Sequence, residues 1–333
     1  MGTACGANCH DGKAVVVLVN CAGGREMTVV RDALTQGLHT PTLLIAPTDH
    51  TVTALTLELR TGLLEVDGCR VRPVVVWVRH GSTDAMLAQA QPAGSLTVLD
   101  AMSWYRLLEQ VTASACAALP GGIFVGPGQL VDARRLGFRA PGTVVTTDVA
   151  AGAALLGTPK VIVKTPDFRL FAADRSTWPA YLPQIVDRDA VTTPSAAGGQ
   201  PVVVQEYVAH SRELRVYYLN GGLCAFEISK PDPSSLWTDP AAVTVSRTDC
   251  PEDAEKAVRT LCAAWNMRYA AFDLLVADTG ELVFLEANPD GDWLWFEHKA
   301  RWHGVTFMAA VMVRELFVRG TSMGARVHDC DPS

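Results

Sequence analysis

The chain has 333 residues, of which 49% are hydrophobic and 19% are charged, and its formal net charge is -7. This length suits two or three packed subdomains, and the negative charge argues against a nucleic-acid partner. No apolar run reaches the roughly 18 residues that a membrane helix needs. The N-terminus MGTACGANCHDGK lacks the basic and apolar regions of a secretory signal. We therefore expect a cytoplasmic protein without a membrane or nucleic-acid partner.

Nine cysteines are spread along the chain, and most lie in apolar stretches such as TASACAAL around Cys116. Such thiols usually act as small buried hydrophobes. Cys5, Cys9 and His10 are spaced like loose metal ligands, but no second Cys/His pair completes a tetrahedral site. We interpret residues 1–13 as a flexible tail.

The first hundred or so residues alternate strand and helix patterns. AVVVLVN, TPTLLIAP and RPVVVWVRHG predict strands, and CAGGREMTVVRDALTQG predicts a helix between the first two. LTLELRTGLLEVDG predicts a hairpin around Thr61-Gly62. The stretch from Leu99 to Leu119 predicts one long helix that Pro120-Gly121-Gly122 ends. This alternation indicates an α/β layer with a parallel sheet.

The middle of the chain begins with QLVDARRLGF, which predicts a helix. Three strands are then predicted in APGTVVTTD, TPKVIVKTPD and PVVVQEYV, and the second of them ends at Lys164. The residues between the second and third strands have no clear periodicity. We therefore expect a strand-rich middle domain with an irregular segment.

The last third of the chain predicts two hairpins and two helices. ELRVYYLNGGLCAFEIS has a turn signal at Asn220-Gly221-Gly222, and YAAFDLLVADTGELVFLEANP has one at Thr279-Gly280. PEDAEKAVRTLCAAW predicts a helix with an acidic first turn. GVTFMAAVMVRELFVRG predicts a final helix that ends at Gly320.

Two carboxylates and an amide fall on the second hairpin. Asp273 and Glu286 lie at similar distances from the turn, so we expect them to face each other across the ladder. Asn288 has the parity of Glu286 and points to the same side. Two like charges in an apolar sheet are unfavourable unless a cation lies between them, and oxygen ligands suit Mg²⁺. The alternative is a solvated outer face, which the apolar flanking residues disfavour.

The segment FDLLVADTGELVFLEANPDGDWLWFE resembles the magnesium-binding strands of the ATP-grasp ligases. More narrowly, it resembles the peptide maturases that make graspetides (microviridin-type ω-ester and ω-amide peptides), with RimK-type amino-acid ligases as broader relatives. An acid on one strand, then Glu-x-Asn-Pro and a Trp-rich tail, is specific to that branch. The motifs follow the family order over residues 120–300. The residues before them resemble the family by their α/β pattern alone.

The resemblance implies the ATP-grasp fold, in the α/β class with α+β subdomains. It divides the chain into an N-terminal α/β (pre-ATP-grasp-like) domain, 14–119, a central lid subdomain, 120–208, and a C-terminal antiparallel-sheet subdomain with the metal site, 209–325. Residues 326–333 are then a tail.

The resemblance also assigns roles to single residues. Lys164 matches the phosphate-binding lysine, Glu213 the ribose-side acid and Arg215 the phosphate-side arginine. The adenine hinge, whose backbone groups read the base edge, matches four consecutive residues: Gln205, Glu206, Tyr207 and Val208. Asp273, Glu286 and Asn288 match the ligands of Mg²⁺, of which the family binds two ions with ATP.

Each of these residues has a structural alternative. Lys164 could be a surface lysine at a strand end. Arg215 could be a cross-strand partner of Glu213 or Glu227, a kind of pair that is common and weak. Aromatic residues of the tail are more often core than ligand platform: Trp293, Trp295 and Phe296. His210 and His298 lack a base–nucleophile partner, and we interpret them as structural.

The chain departs from the family at two cations. A lysine is expected before the QLVDARRLGF helix, where VGPGQLVDARRL has Gly126. The Asp-Trp-Arg of the maturases is replaced by Leu236-Trp237-Thr238. Lys230 and Lys160 are candidate substitutes. Charge-assisted contacts are worth roughly 1.5–3 kcal/mol each, so two losses would cost several kcal/mol in nucleotide and transition-state stabilisation.

The implied reaction is ATP-dependent activation of a carboxylate as an acyl phosphate, followed by attack of an amine or hydroxyl. Arg215 and Lys230 are the predicted catalytic cations, and Pro166–Asp189 is predicted to form part of a lid that excludes water. The partner is a carboxylate-bearing substrate, with a ribosomal precursor peptide as one candidate. A homodimer is common among the relatives.

Three hypotheses stay open at this point: a graspetide-like peptide ligase, a small-molecule amino-acid ligase of a natural-product pathway, and a non-catalytic nucleotide- or peptide-binding relative. The intact metal-ligand set argues against the third. The tail GDWLWFE is closer to the peptide maturases than to the amino-acid ligases, which favours the first.

Overall fold

A computed structural model describes residues 12–21, 24–46, 54–81, 86, 97–122, 126–166, 183–191, 201–232 and 239–328, with backbone alone over 323–328. Cys5, Cys9, His10, Leu236-Trp237-Thr238 and most of the predicted lid lie outside the described residues. The chain divides into two compact units. The first contains residues 1–121, 289–295 and 303–333, and the second contains 122–288 and 296–302. The domain bounds given above remain predictions.

The elements are, in chain order: β1 Lys13–Asn20, α1 Glu26–Asp32 with a π-helical turn Ala33–Gly37, β2 Thr42–Ile45, β3 Leu55–Glu58, β4 Leu63–Val66, β5 Cys69–Arg79, α2 Val98–Ala113, β6 Ala117–Leu119, α3 Gly128–Arg135, β7 Thr143–Thr146, α4 Val149–Leu156, β8 Lys160–Lys164, β9 Gln184–Asp187 with a 3₁₀ turn Arg188–Ala190, β10 Val202–Glu206, β11 His210–Leu219, β12 Gly222–Ser229, β13 Thr244–Thr248, α5 Glu252–Ala264, β14 Tyr269–Ala277, β15 Leu282–Asn288, α6 Leu294–Ala300 and α7 Gly304–His328. No helix among the described residues is long and apolar enough to cross a membrane.

The first unit is built on a six-stranded sheet. Its order is β2-β1-β5-β4-β3, and β6 also pairs with β5, at Val75 to Trp77. β1 runs parallel to β2 and β5, and β6 runs parallel to β5. Val16 to Val19 of β1 are fully buried, as expected for a strand covered on both faces. The predicted parallel layer and the predicted β3–β4 hairpin are both confirmed.

The predicted helix from Leu99 to Leu119 is wrong in its last six residues. α2 ends at Ala113, where the Ser114 hydroxyl donates to the Val111 carbonyl at 2.7 Å. Ala117 and Leu119 are then buried in β6, against β5. Pairing with an open sheet edge overrides the helical propensity of this alanine-rich stretch.

The predicted end of the last helix at Gly320 is also wrong, because α7 continues to His328. A Cβ on Gly320 would lie 2.5 Å from Val74 Cγ1 and 3.1 Å from Cys116 Cβ. The glycine therefore allows close packing within the first unit and does not act as a helix stop.

A buried arginine fixes residues 289–295 in the first unit. The Arg79 guanidinium is fully buried, donates to the Asp290 carbonyl and to Asp292 Oδ1, each at 2.6 Å, and lies over the Trp293 ring. Burial alone would raise the pKa of Asp292, but the hydrogen bond from His80 and the charge of Arg79 hold it well below the usual range. Trp293 is fully buried, so its interpretation as a core residue is confirmed.

The second unit contains two sheets. The four-stranded sheet has the order β7-β10-β8-β9, and the five-stranded sheet has the order β13-β12-β11-β14-β15 with antiparallel neighbours throughout. Asn220 (φ +49°) and Gly221 (φ +106°) form the predicted turn between β11 and β12.

One face of the five-stranded sheet is a hydrophobic core covered by α5. Leu214, Val216, Phe272 and Phe284 from the sheet pack there with Leu261 and other buried residues of α5. Side chains alternate along a strand, so neighbouring residues of these strands point to the opposite face. That opposite face carries the polar side chains of the candidate site, among them Asp273 and Glu286.

Candidate active site

The candidate site lies on the face of the five-stranded sheet away from α5. Arg215 on β11 pairs in register with Asp273 on β14, and Asp273 pairs with Glu286 on β15. Asn288 follows on the same strand. The sheet thus aligns one cation, two carboxylates and an amide across three adjacent strands.

A β-bulge brings Glu286 and Asn288 to this face. Leu274 pairs with Phe284, whereas Asp273 pairs with Glu286, so Leu285 is the extra residue. In a regular hairpin Asp273 would oppose Leu285, and Glu286 would point into the core beside Phe272. The predicted facing of the two carboxylates is therefore observed, but it depends on an irregularity that counting from the turn does not reveal.

The three side chains form one hydrogen-bonded group. The Asn288 amide Nδ2 donates to Asp273 Oδ2 at 3.2 Å and to Glu286 Oε1 at 3.0 Å. Burial raises the pKa of Asp273 to about 6; the charge of Arg215 opposes this shift and the charge of Glu286 adds to it. The like charge of Glu286 beside Asp273 is electrostatically unfavourable unless a cation lies nearby.

The donor set of the group fits a hard divalent ion. Two carboxylates and one amide supply only oxygen as ligand atoms, which is the preference of Mg²⁺. Among the described residues, no cluster of three or more His, Cys, Asp or Glu side chains is placed to hold a metal. The group has two such side chains, with Asn288 as the third member, so the metal role of Asp273, Glu286 and Asn288 remains a prediction.

Arg215 is the buried partner of Asp273. Its Nη1 donates to both carboxylate oxygens at 2.8 and 2.7 Å, and the guanidinium lies 5.3 and 5.2 Å from the ring centroids of Tyr217 and Phe296. Although burial lowers the pKa of a guanidinium, the charge of Asp273 raises the pKa of Arg215 above its usual value. The alternative pairing with Glu213 or Glu227 is wrong, since Glu227 pairs with Arg212 and Glu213 with His210 and Lys230.

Lys164 faces the carboxylates. It is the last residue of β8, and its Nζ lies 3.9 Å from Glu286 Oε2 with about a quarter of the side chain exposed. This position disfavours the alternative of a solvated surface lysine. Lys160, at the first position of the same strand, is exposed and pairs in register with Asp187.

α3 and the residues that follow it support the outer side of β15. Gln129 Oε1 accepts a hydrogen bond from the Ala287 N–H at 2.5 Å, and the Arg139 carbonyl accepts one from the Phe284 N–H at 2.9 Å. Gln129 is buried. These bonds hold the strand that carries Glu286 and Asn288 at the edge of its sheet.

The predicted adenine hinge is itself tied into the protein. Gln205 is buried and its Nε2 donates to Thr143 Oγ1 at 3.0 Å, while Glu206 Oε2 accepts from the Gly142 N–H at 2.9 Å. The Glu206 N–H donates to the Gly142 carbonyl and the Tyr207 N–H to the Lys160 carbonyl. The Glu206 and Tyr207 N–H groups are therefore engaged within the chain, and the role of the hinge backbone in reading a base edge remains a prediction.

His210, interpreted as structural from the sequence, lies against two of the predicted nucleotide-site residues. Its Nε2 lies 2.7 Å from Glu213 Oε1, and its Nδ1 lies 2.8 Å from the carbonyl of Val208 in the hinge. Lys230 Nζ lies 2.9 Å from the same Glu213 oxygen. A second bulge, at Ser211, places His210 on the face of Glu213, so the signal is an irregularity of the ladder that the residue pattern does not show.

Comparisons with known proteins give structural matches alone. No protein-family model matches the chain, and no curated protein matches its sequence. Among solved structures, the macrocyclase MdnC bound with precursor peptide MdnA from Microcystis aeruginosa superposes with a TM-score of 0.69 at 16% identity, covering 91% of this chain and 99% of the other.

Two further solved structures have the same architecture. The ATP-grasp ligase PsnB, complexed with a phosphomimetic variant of its minimal precursor, Mg and ADP, gives a TM-score of 0.72 at 16% identity over 92% of this chain and 99% of the other. A RiPP-associated ATP-grasp ligase from Chryseobacterium gregarium, in complex with ADP and a leader and core peptide, gives 0.70 at 17% over 91% and 97%. The chain therefore has the ATP-grasp fold, as its sequence motifs predict.

Proposed function

We propose that the protein is an ADP-forming ATP-grasp ligase that joins a carboxylate to an amine or hydroxyl, with a peptide as substrate. The observation that carries this proposal is the pairing of Asp273 with Glu286 across β14 and β15, with Asn288 bonded to both and Lys164 facing them. Oxygen ligands for a cation, placed beside a lysine, are suited to bind a polyphosphate together with a metal ion.

The residues of the site have distinct roles in this proposal. Asp273, Glu286 and Asn288 would hold Mg²⁺, which would supply charge neutralisation at the phosphates of ATP. Lys164 offsets the phosphate charge that remains. Arg215 is buried and holds both oxygens of Asp273, so it acts by positioning that ligand and by the positive charge that it adds.

The reaction proceeds in two substitutions. An oxygen of the substrate carboxylate attacks the γ-phosphorus of ATP, the bond to the β–γ bridging oxygen breaks, and ADP leaves. An amine or hydroxyl of the second substrate then attacks the acyl carbon, the carbon–oxygen bond to the phosphoryl group breaks, and phosphate leaves as the nucleophile loses its proton. The protein contributes positioning and fixed charge, and no covalent bond to the chain is needed.

A peptide substrate is supported by the three similar structures, each of which contains a bound peptide. MdnC, PsnB and the Chryseobacterium ligase are bound to precursor, leader or core peptides. The Trp-rich tail after Asn288 favours the same choice. Cytoplasmic location and homodimer formation remain predictions.

The first test is release of ADP by purified protein with ATP and Mg²⁺, with amino acids and precursor-type peptides supplied as separate pools. We expect release that a peptide pool stimulates, together with loss of one water from the peptide mass per bond formed. The Glu286→Gln variant should lose both signals, whereas Glu65→Gln, an exposed residue of β4, should keep them. Stimulation by the amino-acid pool alone would replace the peptide by a small-molecule substrate, and no stimulation by either pool would contradict the ligase.

A further inference from the structure

His210 is placed between two hydrogen-bond acceptors. Its Nδ1 lies 2.8 Å from the Val208 carbonyl oxygen and its Nε2 lies 2.7 Å from Glu213 Oε1. A neutral imidazole has one N–H and one acceptor nitrogen, so it can donate to one of these oxygens only. Both contacts are satisfied when both nitrogens carry a proton, which makes the ring an imidazolium.

The alternative is a neutral ring whose Nε2 accepts a hydrogen bond from a protonated Glu213. The surroundings of Glu213 disfavour its protonation. Lys230 Nζ lies 2.9 Å from the oxygen of Glu213 that His210 contacts. Burial raises the pKa of Glu213, but the contacts with His210 and Lys230 outweigh it and hold the pKa below the usual range. Glu213 is therefore ionised at neutral pH, and its neighbour must be the donor.

The charged and titratable groups around the ring are few among the described residues. Glu213 shares its strand, and Lys230 follows β12. Tyr207 belongs to the hinge, and its ring centroid lies 6.3 Å from that of His210. Burial is the main cause that raises the pKa of Tyr207, and the charges of Asp232 and Asp278 add to it. The hydrogen bond to Glu213 is the main cause that raises the pKa of His210; burial and the charge of Lys230 oppose it.

We propose that His210 is a positioning residue of the nucleotide site: as an imidazolium it ties the hinge at Val208 to Glu213. This inference rests on the proposed function, because the hinge and Glu213 are its adenine and ribose sites. With His210 and Lys230 both charged around one carboxylate, this cluster carries a net charge of one positive unit. It therefore favours the anionic nucleotide.

The proposal makes nucleotide affinity depend on pH with a defined sign. Since the pKa of His210 is raised above its value of 6.5 in the unfolded chain, its contribution is fully present below that value. It is lost as the pH rises through the folded pKa. When one ring nitrogen of His210 loses its proton, it becomes an acceptor that faces the acceptor oxygen of Glu213 or Val208. That hydrogen bond is then lost and the residue moves away.

The experiment has two readouts on the full chain. The first is the ¹⁵N chemical shift of both His210 ring nitrogens over pH without nucleotide, assigned by comparison with His210→Gln. We expect both nitrogens to be protonated at neutral pH. A neutral tautomer there would overturn the proposal whether or not the protein is a ligase.

The second readout is the affinity for Mg²⁺-ADP by calorimetry across the same pH range. We expect wild-type affinity to fall about tenfold as His210 deprotonates, which is the loss of one charge-assisted contact. His210→Gln should be weak and independent of pH in that range. His210→Lys, a permanent cation, should restore affinity without the pH dependence. His298→Gln, an exposed histidine of α6, should behave as wild type.

Equal pH profiles for wild type and His210→Gln, with measurable ADP binding, would overturn the role of His210 and leave the ligase proposal standing. A protonated His210 in a protein that binds no ADP at any pH would instead remove the nucleotide site itself.

Discussion

Glu286 is the residue on which the proposed metal site depends most directly, since it faces Asp273 and accepts from Asn288. Replacing it with glutamine keeps the shape and removes one anionic ligand. We expect the Mg²⁺-dependent part of ADP affinity to fall ten- to a hundredfold, the equivalent of about 1.5–3 kcal/mol. Calorimetry measures the ADP affinity with Mg²⁺ and with excess chelator. An equal difference between these two affinities in wild type and Glu286→Gln would contradict the role of Glu286 as a metal ligand.

Arg215 and Arg212 lie on the same strand but differ in burial, which separates a core ion pair from a surface one. Arg215→Met leaves the Asp273 carboxylate without its buried partner, and we expect the free energy of unfolding to fall by about 3–5 kcal/mol. Arg212→Met breaks a half-exposed pair with Glu227 and should cost about 1 kcal/mol or less. Urea denaturation of both variants checks this, and equal losses would show that burial does not govern the pair.

At the residue scale the sequence predicts part of the site. The two acids and the amide stand out because polar side chains interrupt apolar strands, and Lys164 stands out because it ends one. His210 does not stand out, since its partners are a backbone carbonyl and an acid three residues later that a regular strand would point to the other face.

At the scale of elements, two β-bulges decide which side chains reach the site. The bulge at Leu285 places Glu286 and Asn288 on the face of Asp273, and the bulge at Ser211 places His210 on the face of Glu213. Hairpins and helices follow from turn signals and periodicity, which are local. A bulge depends on the pairing of two strands, so the sequence of either strand alone does not predict it.

Gly320 tests a second element that the sequence pattern misassigns. In an exposed helix Gly→Ala would stabilise by about 1 kcal/mol. Here the new methyl group would meet Val74 and Cys116, so we expect Gly320→Ala to lower the free energy of unfolding by about 1–3 kcal/mol. The matched control is Gly128→Ala in α3, where a Cβ meets nothing within 4 Å and stability should hold or rise. Denaturant midpoints of both variants measure the change in stability. A stabilised Gly320→Ala would show that the position is an ordinary helix glycine without close packing.

At the scale of the whole molecule, the fold class is predictable because the strand and helix patterns and the motif order agree with each other. The division into units is less predictable from the sequence. Residues 289–295 and α7 belong with the first unit although they follow residues 122–288 of the second in the chain. The contacts of Arg79 with Asp290 and Asp292 span more than 200 residues, and no local pattern encodes a contact of that range.

We propose that this chain activates a carboxylate by phosphorylation. The most direct measurement supplies ATP, Mg²⁺ and substrate peptides whose side-chain carboxylates carry ¹⁸O, and then determines the isotope content of the released phosphate by mass spectrometry. We expect one ¹⁸O atom in each phosphate, because the carboxylate oxygen that attacks the γ-phosphorus leaves with it. Phosphate without label would rule out carboxylate activation, since water and not the carboxylate would then have attacked ATP.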